Sequence, residues 1–129
     1  MDIPANVKFT PNDEWINVNG NIGSVGISDY AQNQLSDVVY VEITVAVGDL
    51  VSRGDACATL ESVKAAADVY MPVSGKIVEV NEEIANTPEL VNSDPYGAAW
   101  LVKVEISDPT ELDDLLDASA YEQKLEAQS

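Results

Sequence analysis

Polar and apolar positions alternate along most of this chain, in short runs broken by turn residues. Trp15-Ile16-Asn17-Val18 leads into Asn19-Gly20, and Asn21-Ile22-Gly23-Ser24-Val25-Gly26-Ile27 follows. An Asn-Gly pair between two such runs predicts a two-residue hairpin, because the turn that matches strand twist needs positive φ at both central residues. Ser28 can cap a short helix over Asp29 to Leu35, after which Val39, Val41 and Ile43 fall on one face of a strand. Gly48-Asp49 and Gly54-Asp55 lie too close together for a helix between them. Ala56 to Val63 is a run of mostly small and apolar residues that ends at Lys64, and Asp68-Val69-Tyr70-Met71 resumes until Pro72 stops it. Ser74-Gly75 turns the chain into the strand Ile77-Val78-Glu79-Val80. Trp100, Val102, Val104 and Ile106 alternate with Leu101, Lys103 and Glu105, the pattern of a half-buried strand.

The last third reads as helix. Asp108-Pro109-Thr110-Glu111 offers a cap, a proline at N1 and a glutamate at N3, with Leu112, Leu115 and Leu116 on one helical face. Ser119-Ala120-Tyr121-Glu122 repeats that logic, and Pro88 behind Thr87 can open one helical turn. The pattern predicts a mainly β domain of many short strands with helices at its edges. It occupies 1–129 as one unit, with a core over about 15–106 and C-terminal helices over about 109–128. A chain of 129 residues fits one domain and needs no disulfides for its core.

Composition narrows the chemistry. The chain has no histidine and a single cysteine, Cys57, between Ala56 and Ala58. That excludes Ser-His and Cys-His catalytic pairs, a disulfide, and a zinc site of imidazole and thiolate; no catalytic or metal-binding residue is expected. Cys57 reads as a small buried hydrophobe. Six basic residues against 23 acids give a net charge of −17, which repels nucleic acid and anionic membranes and favours basic patches on protein partners. MDIPANVKFT resembles neither a secretory signal nor a transit peptide, so a cytoplasmic protein is expected, or a mitochondrial one only as a processed mature chain. Trp15 and Trp100 are expected as core anchors.

Lys64 stands out in TLESVKAAAD. It lies between two Gly-punctuated runs, Val47 to Val63 and Val69 to Val80, whose symmetry would place it at the tip of a turn. A lysine is ordinarily a solvated surface charge. A catalytic lysine needs a desolvating pocket or a neighbouring cation, and no basic residue lies within ten positions of Lys64. An exposed amine on a four-carbon stem suits acylation instead, and Ala65, Ala66 and Ala67 leave room for a modifying enzyme.

The segment TLESVKAAADVYMPVSGKIVEVNEEI resembles the lipoylation segment of the glycine cleavage system H proteins. Glu61-Ser62-Val63-Lys64-Ala65, Pro72-Val73-Ser74-Gly75 and Val78-Glu79-Val80-Asn81 match that family in order and spacing. The likeness extends to Glu14-Trp15, Val25-Gly26-Ile27, Tyr30-Ala31-Gln32, Leu90-Val91-Asn92, Asp94-Pro95-Tyr96 and the stretch from Leu115-Leu116 to Tyr121.

The resemblance implies a barrel-sandwich hybrid of two small antiparallel sheets, with short helices on the N-terminal side and at the C-terminus. It implies lipoate in amide linkage to Lys64, with Glu61, Ser62, Val63 and Ala65 recognised by a lipoate ligase or a lipoyl/octanoyl transferase. The implied role is that of a carrier, not an enzyme. The arm would accept the aminomethyl group left when a pyridoxal-phosphate glycine decarboxylase acts, and deliver it to a tetrahydrofolate-dependent aminomethyltransferase. A dihydrolipoyl dehydrogenase would reoxidise it. Glu14, Asn12, Asp68 and Gln34 are implied to line a cleft that holds the loaded arm, where a carboxylate would bind the cationic cargo.

The chain departs from the family where Asp13 replaces a usual His, Tyr30 and Gln34 stand on the helix that often carries one, and Ile43-Thr44 replaces Leu-Pro. Ser36 and Ala99 stand where the family has Gly, which matters only at positive φ. Two other readings stay open: a lipoyl domain of another multienzyme complex, and an H-like paralogue that relays lipoyl groups. Val63-Lys64-Ala65 fits neither the Met-Lys-Met of biotin carriers nor the Asp-Lys-Ala of 2-oxo acid dehydrogenase lipoyl domains.

Overall fold

A two-residue hairpin forms, one position later than the Asn-Gly pair: β2 (Glu14–Asn19) pairs antiparallel with β3 (Ile22–Ile27), Asn19 faces Ile22, and Gly20-Asn21 make the turn, where Gly20 takes φ 67° and neither asparagine has positive φ. In the computed structural model, which describes residues 2–128, this hairpin lies in a six-stranded antiparallel sheet. β1 (Lys8–Phe9) flanks β2, while β9 (Val102–Ile106), β8 (Gly75–Val80) and β5 (Leu50–Val51) extend the sheet beyond β3. A second sheet has the order β4 (Val38–Ile43), β6 (Ala56–Ser62), β7 (Ala66–Tyr70). Ile16, Val25, Val41, Leu60, Val69, Ile77 and Val104 pack between the sheets as one apolar core. The architecture is the expected barrel-sandwich hybrid.

The symmetry around Lys64 is real at the level of pairing. Glu61 faces Ala66 and Thr59 faces Asp68 within the β6–β7 hairpin. Outside it, Gly54 N–H donates to Met71 O at 2.9 Å, and Met71 N–H donates to Asp55 O at 2.8 Å. Farther out, Leu50 faces Lys76 across β5 and β8. The pairs are nested about one turn, so Lys64 sits at its tip. Gly75 has its own reason: a Cβ there would collide with the backbone oxygen of Glu105 on β9, so the Pro-Val-Ser-Gly turn must end without a side chain.

The helices differ in detail from the pattern. α1 (Asp29–Leu35) has its Ser28 cap, whose hydroxyl accepts from Ala31 N–H. The two short turns α2 (Glu83–Asn86) and α3 (Leu90–Ser93) bracket Thr87-Pro88, so Pro88 precedes its helix instead of opening it at N1. The Pro109–Asp114 segment is a 3₁₀ helix. Asp108 caps it, but Glu111 does not fold back; its carboxylate accepts from Ser74 N–H at 2.7 Å and Ser74 Oγ at 3.0 Å, tying down the Pro-Val-Ser-Gly turn. Leu116 leaves the helical face and bridges to Phe9. The terminal helix α4 (Ala118–Gln128) is capped by Asp117, which accepts from Ala120 N–H, with Ser119 inside it.

α4 closes a second apolar cluster of Val7, Phe9, Trp15, Tyr121 and Leu125. Trp15 is buried as expected, whereas Trp100 is only half-buried beneath the Lys103 ammonium. The expected alternation over 100–106 therefore begins only at Val102, because Leu101 is buried beside it.

Ser36 ends α1 at φ 64°, ψ −150°, while Ala99 keeps a negative φ. A side chain in that region costs roughly 1–3 kcal/mol, part of which a glycine returns through its freer unfolded state. Ser36→Gly should therefore raise the unfolding free energy by about 1 kcal/mol, read as a higher urea midpoint at unchanged slope. An unchanged or lower midpoint would contradict the strain assigned to Ser36.

Candidate functional site: an exposed lysine beside an acidic cleft

The tip that carries Lys64 is built by Ser62. Its hydroxyl oxygen accepts from Lys64 N–H at 3.3 Å and Ala65 N–H at 3.0 Å, and its own N–H donates to Ala65 O at 2.7 Å. Such side-chain-to-backbone bonds let a short hydroxyl residue hold a tight turn. Val63 N–H donates to Asp37 O at 3.1 Å, anchoring the tip to the segment before β4. Lys64 is exposed, as are Glu61, Val63, Ala65 and Ala66. Its ammonium has no ion-pair or hydrogen-bond partner among the described residues. Cys57 is buried, and burial pushes its thiol up to about 12, which leaves it inert at neutral pH.

Glu14 is the unusual acid of this chain: its side chain sits at the start of β2 and the residue is 3% exposed. Thr10 organises it. The Thr10 hydroxyl donates to Glu14 Oε1 at 2.5 Å while accepting from the backbone N–H groups of Asn12 and Glu14. Tyr70 N–H, on the outer edge of β7, donates to Glu14 Oε2 at 3.3 Å. Burial pushes the carboxyl up to about 6; the two donors oppose the rise, and the charge of Asp13 adds to it.

A cleft of about 210 Å³ opens beside this carboxylate. Asn12, Glu14, Gln34 and Asp68 all border it, so the structure brings together the four residues singled out from the sequence. Its walls are apolar: Ile27, Leu35, Leu60 and Val69 line it with Ala31 and Ala67. Asn12, Gln34 and Asp68 are exposed at its rim, where Asp68 accepts from the Thr59 hydroxyl at 3.1 Å. Asn12 and Glu14 also border a larger cleft of about 370 Å³ on the Arg53 side, which lacks Gln34 and Asp68. Sequence reasoning missed Thr10. A hydroxyl four positions before a glutamate, across Pro11-Asn12-Asp13, is a turn signal that could have found it.

The site is thus one exposed lysine at the tip of a small hairpin, in a fold that also holds an apolar cleft ending in a buried carboxylate. The comparisons name the family. Residues 7–128 match the family described as Glycine cleavage H-protein. The chain is 54% identical over 124 residues to the glycine cleavage system H protein of Carboxydothermus hydrogenoformans, covering 96% of this chain and 95% of that one. It is 54% identical over 116 residues to that of Thermotoga maritima, covering 90% and 93%. The crystal structure of a glycine cleavage system H protein from Mycobacterium marinum superposes with a TM-score of 0.85 at 37% identity, covering 95% of this chain and 98% of that one. The chain belongs to the glycine cleavage H-protein family, whose members carry lipoate and are carriers, not catalysts.

The raised Glu14 value fixes the sign of a pH effect. The native protein binds this proton more tightly than the unfolded chain, so the contribution to stability is full below about 4.5 and is lost as pH rises through about 6. Glu14→Gln has no such loss. Its unfolding free energy relative to the parent should increase by about 1.5 kcal/mol from about pH 4.5 to about pH 7.5, measured by urea denaturation at both ends. A pH-independent difference would contradict the buried ionisation.

Proposed function

We propose that Lys64 carries lipoate in amide linkage and that the cleft beside Glu14 shelters the loaded arm. The observation that carries this reading is the coincidence of an unpaired lysine at a hairpin tip with an apolar cleft that ends in a buried carboxylate. The residues present fit the group. Ala67 and Asp68 line the cleft three and four positions beyond Lys64 on β7, at most roughly 13 Å of strand away. The apolar walls suit an acyl chain and a sulfur ring. When bound, lipoate supplies the disulfide that accepts the aminomethyl group left by glycine decarboxylation and later gives it up for transfer to tetrahydrofolate.

This chain's own residues do the holding. Glu14 faces an amine that is cationic at neutral pH, and pairing with it returns the energy lost by ionising a buried carboxylate. Asp68 and Asn12 add an acceptor and a polar contact at the rim, which Gln34 also borders. Ile27, Leu35 and Leu60 exclude water from the arm. Glu61 and Val63, exposed before the tip, and Ala65 after it are the features a lipoyl-attaching enzyme reads, while Ser62 holds the turn.

The partners follow from the family: a pyridoxal-phosphate glycine decarboxylase, a tetrahydrofolate-dependent aminomethyltransferase, a dihydrolipoyl dehydrogenase and a lipoyl-attaching enzyme. We place the chain, as one lipoyl-carrier domain over 1–129, in the cytoplasm. Among the described residues no helix is long and apolar enough to cross a membrane.

Intact mass of protein from its native host tests the reading. One lipoyl-sized increment is expected, mapping to the peptide with Lys64, and Lys64→Arg should lose both the increment and glycine-dependent carbon dioxide exchange with the decarboxylase. An increment on Lys8, Lys76, Lys103 or Lys124, or exchange retained by Lys64→Arg, would overturn it.

A further inference from the structure

One side chain of the terminal helix bonds both to Asp13, which borders the cleft, and to Ser28, the cap of the helix that supplies its Ala31, Gln34 and Leu35. The Tyr121 hydroxyl lies 2.8 Å from Asp13 Oδ1 and 2.7 Å from Ser28 Oγ, and Ser28 Oγ lies 3.2 Å from Ala31 N. Tyr121 is 1% exposed and Ser28 is fully buried. The donors can be assigned without seeing a proton. A carboxylate only accepts, so Tyr121 donates to Asp13; its oxygen then accepts from the Ser28 hydroxyl, whose remaining lone pair accepts from Ala31 N–H. The chain of bonds therefore runs one way, from the first turn of α1 through Ser28 and Tyr121 to Asp13. Bonds so aligned polarise one another and strengthen in a dry environment.

The backbone repeats the tie. Asp13 has φ 72°, its N–H donates to Thr10 O at 3.1 Å, and its carbonyl accepts from Ser28 N–H at 2.9 Å. A left-handed residue is tolerated where its short polar side chain is held locally, and here Tyr121 supplies that hold. Asp13 aims the next residue, Glu14. Ser28 caps the helix that bears Ala31, Gln34 and Leu35. Phe9 stacks on the Tyr121 ring at 4.2 Å between centroids and 4° between planes, which fixes the hydroxyl's position. Burial, above all, raises the phenol above its ordinary value, so it stays a donor at neutral pH.

We propose that Tyr121 is a positioning residue for the cargo cleft: its buried hydroxyl ties the Thr10–Glu14 loop to the first turn of α1 and so sets the separation of the two walls. This rests on the proposed shelter role of Glu14. It gives the terminal helix a function beyond covering the Phe9 and Trp15 side of the core. Removing the hydroxyl leaves the ring, its stacking and most of the packing in place, but interrupts the chain at its centre.

Tyr121→Phe and Val7→Ala form the test pair. Val7 is buried in the same cluster and takes no part in the chain of bonds, so it reports loss of packing alone. In the unmodified proteins, Tyr121→Phe should speed amide exchange at Glu14 and Ala31 together by about fivefold, the factor one ordinary hydrogen bond contributes. In the lipoylated and loaded proteins it should shorten the lifetime of the aminomethyl cargo by a similar factor. Val7→Ala should leave both within about twofold at a comparable loss of urea midpoint.

In a Glu14→Gln background, Tyr121→Phe should shorten the cargo lifetime by less than it does alone, since part of its effect runs through Glu14. Exchange and lifetime that follow the midpoint equally in both variants would overturn the inference, as would no change with Tyr121→Phe. If Glu14→Gln alone leaves the parent lifetime unchanged, the shelter reading falls and takes this one with it.

Discussion

The antiparallel register of β6 against β7 is the constraint on which the rest of the site depends. Glu61 opposite Ala66 leaves four residues to reverse the chain, and Ser62 closes that turn with its own hydroxyl. Lys64 is therefore held at a fixed place while its side chain stays free. The same register sends Leu60 and Val69 into the core and sets Ala67 and Asp68 along the cleft. A slip of one residue would reverse every one of these faces. The outer pairs, Gly54 with Met71 and Leu50 with Lys76, hold that register from outside, and Glu111 fastens the far turn at Ser74.

Glu14 carries a cost that the fold does not remove. Its carboxylate accepts two hydrogen bonds, from Thr10 and Tyr70, and burial still outweighs them. The position also covers part of the open edge of β7, where an unpaired N–H would otherwise face solvent or another chain. In the proposed carrier cycle the missing favourable interaction is the cation at the end of the arm. A site slightly destabilised when empty binds its cargo more strongly than a neutral pocket would, and an acid buried against apolar walls does so with little competition from water.

Most strands were legible in the sequence because their causes are local. Gly20 marks a turn by its backbone freedom, and Val102, Val104 and Ile106 alternate because one face is dry. Lys64 was legible through the residues around it. What failed depends on distant contacts. Glu111 looked like half of a capping box, but its partner is Ser74, 37 residues away. Leu116 fitted a helical face, and a bridge to Phe9 took it elsewhere. Asn12, Glu14, Gln34 and Asp68 came from resemblance; their convergence on one cleft needed the fold, and Tyr121 had no signal linking it to Asp13 across 108 positions.

The most direct test of the account is a comparison of amide spectra of the lipoylated protein before and after loading with the aminomethyl group. The account predicts that loading shifts Asn12, Glu14, Gln34 and Asp68 together, on top of any change at the Val63–Ala66 tip. Shifts confined to the tip would mean that the arm stays in solvent, and would contradict a cleft built around Glu14.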